Sequence, residues 1–135
     1  MRRVLRPSGH LIAYTNVLHG PIDPVETATI HEPLRNVVAN LVETDLEAAF
    51  DTAGFAISAK HVIGTEWREF LEEHDQAVSR DLLRLARLRR NPDRIIQRYG
   101  HDAYRTAEAS LQWGLHQILG RFVPLIYVLD ATSPR

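Results

Sequence analysis

The run Leu11-Ile12-Ala13-Tyr14-Thr15-Asn16-Val17, entered from the turn Pro7-Ser8-Gly9, constrains this chain more than any other stretch. Residues 4–7 read as the last turn of a helix, which Pro7 and Gly9 punctuate. The continuous apolar character that follows predicts a strand covered on both faces, as in a parallel sheet. Such a strand needs helices on either side and neighbours along both edges. With only Met1 and Arg2 ahead of the helix end, the stretch reads as the middle of a fold and not its start.

Composition narrows the partners. The 135 residues suffice for one domain with a modest core, and 44% are hydrophobic and 24% charged, as in ordinary globular chains. A net charge of -1 gives no global reason to expect nucleic acid or an anionic membrane. The absence of cysteine excludes disulfides and thiolate chemistry and fits a cytoplasmic location. The start is too poor in apolar residues for a secretory signal, and no apolar run approaches a membrane span.

Residues 16–25 read as a loop, broken by Gly20, Pro21 and Pro24. Pro33 suits the first turn of a helix, with Leu34, Val37, Val38 and Leu41 following at helical spacing. Thr44-Asp45-Leu46-Glu47 has the form of a capping box. It opens a helix with Leu46, Ala49, Phe50 and Ala53 as its apolar stripe, closed by a left-handed Gly54. Residues 55–63 read as a strand with Phe55, Ile57 and Ala59 on one side. From Glu66 the period turns helical. Thr65 is placed to cap, and Trp67, Phe70, Leu71, His74 and Val78 share a face that Leu82, Leu85 and Leu88 continue. Asn91-Pro92 stops that run. A short helix over 93–99 and a long one over 101–119 follow, the latter with Tyr104, Ala107, Leu111, Leu115 and Ile118 on its apolar side. Residues 122–129 read as a final strand in which Pro124 falls at the beginning or at an unpaired position. The polar tail from 130 reads as loose. The 66–119 block is too long for a hairpin connection. It reads as a cap or helical insert within a single α/β domain over 1–135.

Three motifs, in order, resemble the C-terminal half of class I S-adenosylmethionine-dependent methyltransferases. Leu5-Arg6-Pro7-Ser8-Gly9-His10-Leu11-Ile12 is similar to that family's Leu-(Lys/Arg)-Pro-Gly-Gly turn before its fifth strand, with Ser8 in place of the first glycine. The helix over 46–55, ending Ala53-Gly54-Phe55, resembles the one before the sixth strand. Gly120-Arg121-Phe122 and the apolar run to Leu129 resemble the seventh strand, and residues 113–120 the late helix of small-molecule methyltransferases with a helical insert.

The resemblance implies a partial Rossmann-like methyltransferase sheet of three strands in the order 5-7-6, the seventh alone antiparallel, with a helical insert before the last strand. It places the family's cofactor site in the half that would precede Met1. Gly54, Gly64, Gly100, Gly114 and Gly120 form no G-x-G-x-x-G pattern. S-adenosylmethionine is thus implied by the family, while no cofactor-binding residue is assigned and no binding is expected of the isolated chain. The strand at 11–15 would be an apolar edge where the fourth strand belongs, and such an edge needs covering. A homo-oligomer or a complementary N-terminal half is the partner this implies.

Ligands of open parallel sheets bind beyond the carboxyl ends of strands. That makes Tyr14, Asn16 and His19 substrate-side candidates, with Tyr14 equally serviceable as packing, and the loop from Asn16 adds His31 to them. His10 reads as a solvated turn residue. His31, with His19, Asp23 and Glu26, has metal-ligand chemistry, but the spacing matches no tight motif and no metal is assigned. Trp67, Tyr104 and Trp113 read as core residues or as the wall of an apolar substrate pocket. Arg80, Arg84, Arg87, Arg89, Arg90, Arg94 and Arg98 offer charge for phosphate, RNA or an acidic small molecule. With Asp81 and Asp93 interspersed and few aromatics, a solvated helix face is the better reading.

Methyl transfer asks little of side chains: a sulfonium methyl and a nucleophile held in line, water excluded, and a base only where a proton must leave. No catalytic base is assigned. The reading is a substrate-side half of a methyltransferase for a small molecule, inactive without its cofactor half. The alternative is a non-catalytic derivative serving oligomerisation or ligand binding. Neither nucleic acid nor membrane is an expected partner.

Overall fold

The computed structural model describes Leu5 and residues 9–132. Three strands, β1 (His10–Leu18), β2 (Phe55–Val62) and β3 (Phe122–Ala131), form one sheet in the order β1-β3-β2. β3 is central and antiparallel to both neighbours, with Ile126 opposite Tyr14 on one side and Tyr127 opposite Lys60 on the other. A three-stranded sheet with helices before its last strand agrees with the coarse architecture expected from the sequence. The helix end and the Pro7-Ser8 turn lie outside the described residues. Asp130 and Ala131 belong to β3 and not to a loose tail.

The core lies on one face of the sheet. Leu46 and Phe50 of α2 (Glu43–Thr52) pack on Val17, Phe55, Leu125, Tyr127 and Leu129. Each such side chain contributes about 1.5–3 kcal/mol on burial. β1 is not covered on both faces as its apolar run suggested. Leu11, Ala13, Thr15 and Val17 point to the core side, whereas Ile12 and Tyr14 are 70% and 58% exposed. The cause is the short reach of the helical block, which covers that second face only at the carboxyl end of β1.

Thr44 does not cap α2. The helix starts one residue earlier, and Val42 at its N-cap makes no side-chain bond. Glu47 is drawn away from the helix end: it accepts from Lys60 Nζ at 2.9 Å and from the buried Tyr127 hydroxyl at 3.1 Å. Gly54 does close the helix with φ 80, as only glycine does at low cost. In β2 a bulge between Ile57 and Ala59 inserts Ser58 and reverses the alternation. Ile57 and Lys60 therefore share the α2 side, in place of Ile57 and Ala59. Pro124 accepts at its carbonyl from Ile63 N–H, just past the last β2 pair, Val62 with Leu125. Its missing donor thus costs the β2 ladder nothing.

No helix begins at Pro33. Pro24 takes the first position of a single turn, α1 (Pro24–Glu26), with Asp23 as N-cap, and α1 runs into a π turn over Thr27–His31. Burial of Ile30 and His31 anchors that turn, and the chain then reverses through Arg35 at φ 57 into a 3₁₀ turn, Val38–Leu41.

Four helices lie between β2 and β3: α3 (Glu66–Asp75), α4 (Ala77–Arg90), α5 (Pro92–Tyr99) and α6 (His101–Ile118). Thr65 makes no cap bond to backbone; its hydroxyl donates to Glu69. Gln76 at φ 52 breaks α3 from α4, and Glu72 accepts from Val78 and Ser79 N–H to close the start of α4. The shared face predicted for this block is only partly buried. Leu85 is buried, but Leu82 is exposed, and Phe70 stacks on His74 in solvent at 3.9 Å. On α6, Ala109, Gly114 and Gln117 are buried and Ala107 is not. A Cβ at Gly114 would sit 3.2 Å from Asp81 and 3.4 Å from Arg68, so glycine there lets α3 and α4 side chains close on α6.

The Glu47–Lys60–Tyr127 cluster predicts an alkaline limb. Burial, then the bond to Glu47, pushes the Tyr127 phenol up to about 12, and bonds to Glu43 and Glu47 raise Lys60. Both groups hold their protons more tightly when folded. Their stabilisation is complete below the ordinary values of 10.0 and 10.5 and is lost as pH rises through the folded ones. The urea midpoint should decline from about pH 10 upward. Tyr127→Phe should cost about 1 kcal/mol at neutral pH and flatten part of that decline. An alkaline limb unchanged in the variant would refute the attribution.

Candidate functional site

The polar groups of the second sheet face gather at the carboxyl end of β1. Asp23 Oδ1 accepts from Val25 N at 2.7 Å and Glu26 N at 3.4 Å, which sets the entry of α1. In an α-helix residues five apart point about 140° away from each other. The π turn, with Glu32 N bonded to Thr27 O, changes this, and His31 Nε2 lies 3.2 Å from Glu26 Oε1. The other carboxylate oxygen of Glu26 accepts from Arg121 Nε at 2.8 Å. The Arg121 guanidinium also donates to the carbonyls of His19 and Pro21, the latter at 2.7 Å. One arginine at the mouth of β3 therefore ties down the strand exit, the loop and α1 together.

A second tier lies beside it. Gln117 Nε2 donates to Asn16 Oδ1 at 3.0 Å, and Gln117 Oε1 accepts from Arg68 Nε at 3.1 Å. Arg68 in turn lies over the Trp67 ring at 4.6 Å. Aromatic rings pack around His31. Trp113 stacks on Phe122 at 4.1 Å, and both rings contact His31. Trp113 also walls an open cleft of about 320 Å³ with Leu34, Asn36 and Ser110. Three buried nitrogens in this region have no partner among the described residues: His31 Nδ1, Asn36 Nδ2 and Trp67 Nε1.

His31 and Trp113 thus meet in the first tier, which His19 joins through its carbonyl, while Asn16 and Trp67 belong to the second tier through Gln117 and Arg68. Tyr14 stands exposed further down the open sheet face. Tyr104 is half-buried nine residues, or about 13 Å, along α6 from Trp113. Burial and the charge of Glu108 raise its phenol above the ordinary value. Sequence reasoning missed Arg121, Gln117 and Arg68. For Arg121 a signal existed, a lone charge between Gly120 and an apolar strand. The links to Gln117 and Arg68 cross 101 and 49 residues and leave no local trace.

Chemically, Glu26 orients the His31 ring and Arg121 holds Glu26 in place. His31 is fully buried, so the trio acts as a brace. The residues present do not fit S-adenosylmethionine. Glu26 is engaged by Arg121 and His31, Asp23 caps α1, and no glycine-rich loop follows a strand to receive the cofactor. Among the described residues no group of three His, Cys, Asp or Glu is placed to hold a metal ion, and no helix is long and apolar enough to cross a membrane.

No protein-family model matches this chain, and no curated protein matches it. Among solved structures it is similar to the cyclopropane synthase MmaA2 from Mycobacterium tuberculosis, at 13% identity and a TM-score of 0.48, over 96% of this chain and 46% of that one. It is also similar to YjhP from E. coli, at 17% identity and a TM-score of 0.47, over 98% of this chain and 50% of that one. The chain spans about half the length of each. The likeness is one of backbone course alone.

Glu26→Gln should destabilise the fold by about 2–4 kcal/mol in urea unfolding, because an amide leaves the Arg121 guanidinium without its counter-charge in a site this buried. Glu32→Gln, whose contact to Arg105 is 4.0 Å and solvent-exposed, should change stability by less than about 0.5 kcal/mol. Equal effects would show that the brace carries no special weight.

Proposed function

We propose that this chain is the C-terminal, substrate-side part of an S-adenosylmethionine-dependent methyltransferase acting on a small molecule. The observation that carries the reading is the sheet: three strands in the order β1-β3-β2, with β3 antiparallel to both, in a chain whose three sequence motifs resemble that half. The candidate substrate side is the carboxyl end of β1 with the Trp113 cleft, and the helices over 66–119 are its cap. Cofactor contacts come from the complementary half, in keeping with the poor fit of these residues to the cofactor.

One observation favours a second reading, a non-catalytic methyltransferase-derived protein for ligand binding or oligomerisation. The polar side chains at the end of β1 are bonded mainly to one another, as in a scaffold.

Isothermal titration with S-adenosylhomocysteine separates the two. The chain alone should give no saturable heat. The chain joined to the polypeptide encoded directly upstream should bind. A joined protein that does not bind would sink the methyltransferase reading.

β1 is an edge of the described sheet, and its nine residues include no Asp, Glu, Lys, Arg or Pro to discourage pairing. A homo-oligomer or the complementary half is therefore the expected occupant of that edge. Light scattering of the isolated chain should give a mass above 15.4 kDa. A monodisperse monomer would rule out self-association.

A further inference from the structure

Seven arginines and two aspartates lie between residues 77 and 99, a local charge of +5 in a chain whose net charge is -1. The structure divides the arginines into two groups. Arg89 Nε is 2.6 Å from Glu108, and Arg84 is 3.5 Å from Asp81. Among the described residues Arg80, Arg87, Arg90, Arg94 and Arg98 have no carboxylate within ion-pair distance. A solvated helix face would spread such residues apart. Here three of them converge.

The convergence follows from the corner between α4 and α5. Asn91 ends α4, and its side chain accepts from Arg94 N at 3.4 Å, while Pro92 opens α5. This turns Arg94 and Arg98, one helical turn apart on α5, toward Arg87 near the end of α4. The three arginines line a cavity of about 200 Å³ with Asn91, Ile95 and Tyr99. Among the described residues no carboxylate lines it. Arg98 lies over the Tyr99 ring at 5.2 Å, which fixes one guanidinium beside an exposed aromatic edge.

Three guanidinium groups held together without a counter-ion repel one another, and an anion relieves that repulsion. Their planar forks match the oxygens of a phosphoryl group bidentately. Ile95 and Tyr99 offer apolar surface to whatever carries the phosphate. A corner of about 200 Å³ suits one phosphoryl group better than the continuous backbone of a nucleic acid. We propose that the α4–α5 corner is a binding site for a phosphoryl group, carried by a soluble phosphate ester or diphosphate or by a phospholipid headgroup. The site is independent of the methyltransferase reading and shares no lining residue with the Trp113 cleft.

Calorimetric titration with pyrophosphate, and co-sedimentation with phosphatidic acid vesicles in a phosphatidylcholine background, test it on the full chain. Saturable binding is expected, weakened about tenfold or more by Arg94→Ala or Arg98→Ala. Arg94→Lys, which keeps the charge and loses the fork, should also weaken it. Arg90→Ala, outside the cavity, should change it less than twofold, and circular dichroism should show every variant folded. Binding of pyrophosphate assigns a soluble ligand, and binding of vesicles alone, with the same variant pattern, assigns a headgroup. Binding of neither probe overturns the proposal. So does binding weakened as much by Arg90→Ala as by Arg94→Ala, or binding confined to a single-stranded oligonucleotide.

Discussion

The two-sided pairing of β3 is the constraint on which the rest of this structure depends. β1 and β2 do not touch each other in the sheet; each finds its partner only in β3. Phe122, Leu125, Tyr127 and Leu129 of that strand are at most 1% exposed. The pairing His10 with Asp130 closes a loop of 120 residues, which makes the sheet entropically expensive and slow to form relative to the helices between. Local signals such as the Asp23 cap and Gly54 reduce that cost by fixing the chain's direction before the strands meet.

The Arg121 brace answers a problem created by this topology. β1 leaves the sheet where β3 enters it, and both ends would otherwise carry unpaired backbone groups beside the loop over 19–23. The guanidinium fork satisfies two of those carbonyls and the Glu26 carboxylate together. A lysine, with one point charge, would not span the three acceptors. The same residue therefore sets the floor under His31 and, through Trp113, one wall of the cleft.

The strands and the long helix were legible because their signals are local: apolar runs, Gly54, Asn91-Pro92 and the period of α6. Misreadings arose where tertiary contacts outbid a local motif. Glu47 had the spacing of a capping box, yet Lys60 and Tyr127 compete for its oxygens more strongly than an exposed helix end does. Pro33 had helical spacing behind it, yet the burial of His31 turned the chain away. Ser58 is an ordinary strand residue whose role as a bulge depends on its partner strand. At the site, His31 and Trp113 stood out by chemistry. Gln117 and Arg68 matter only through contacts that no short window of sequence contains.

The uneven charge of the helical block has a wider consequence. Residues 77–99 carry +5 and the remainder of the chain -6, beneath a net charge of -1. The basic part is one continuous pair of helices, α4 and α5, with the acidic α3 packed against α4. Local potential of this kind acts within about a Debye length, so at low salt the arginine-bearing helices favour approach to a negative surface in a way that the total charge does not express.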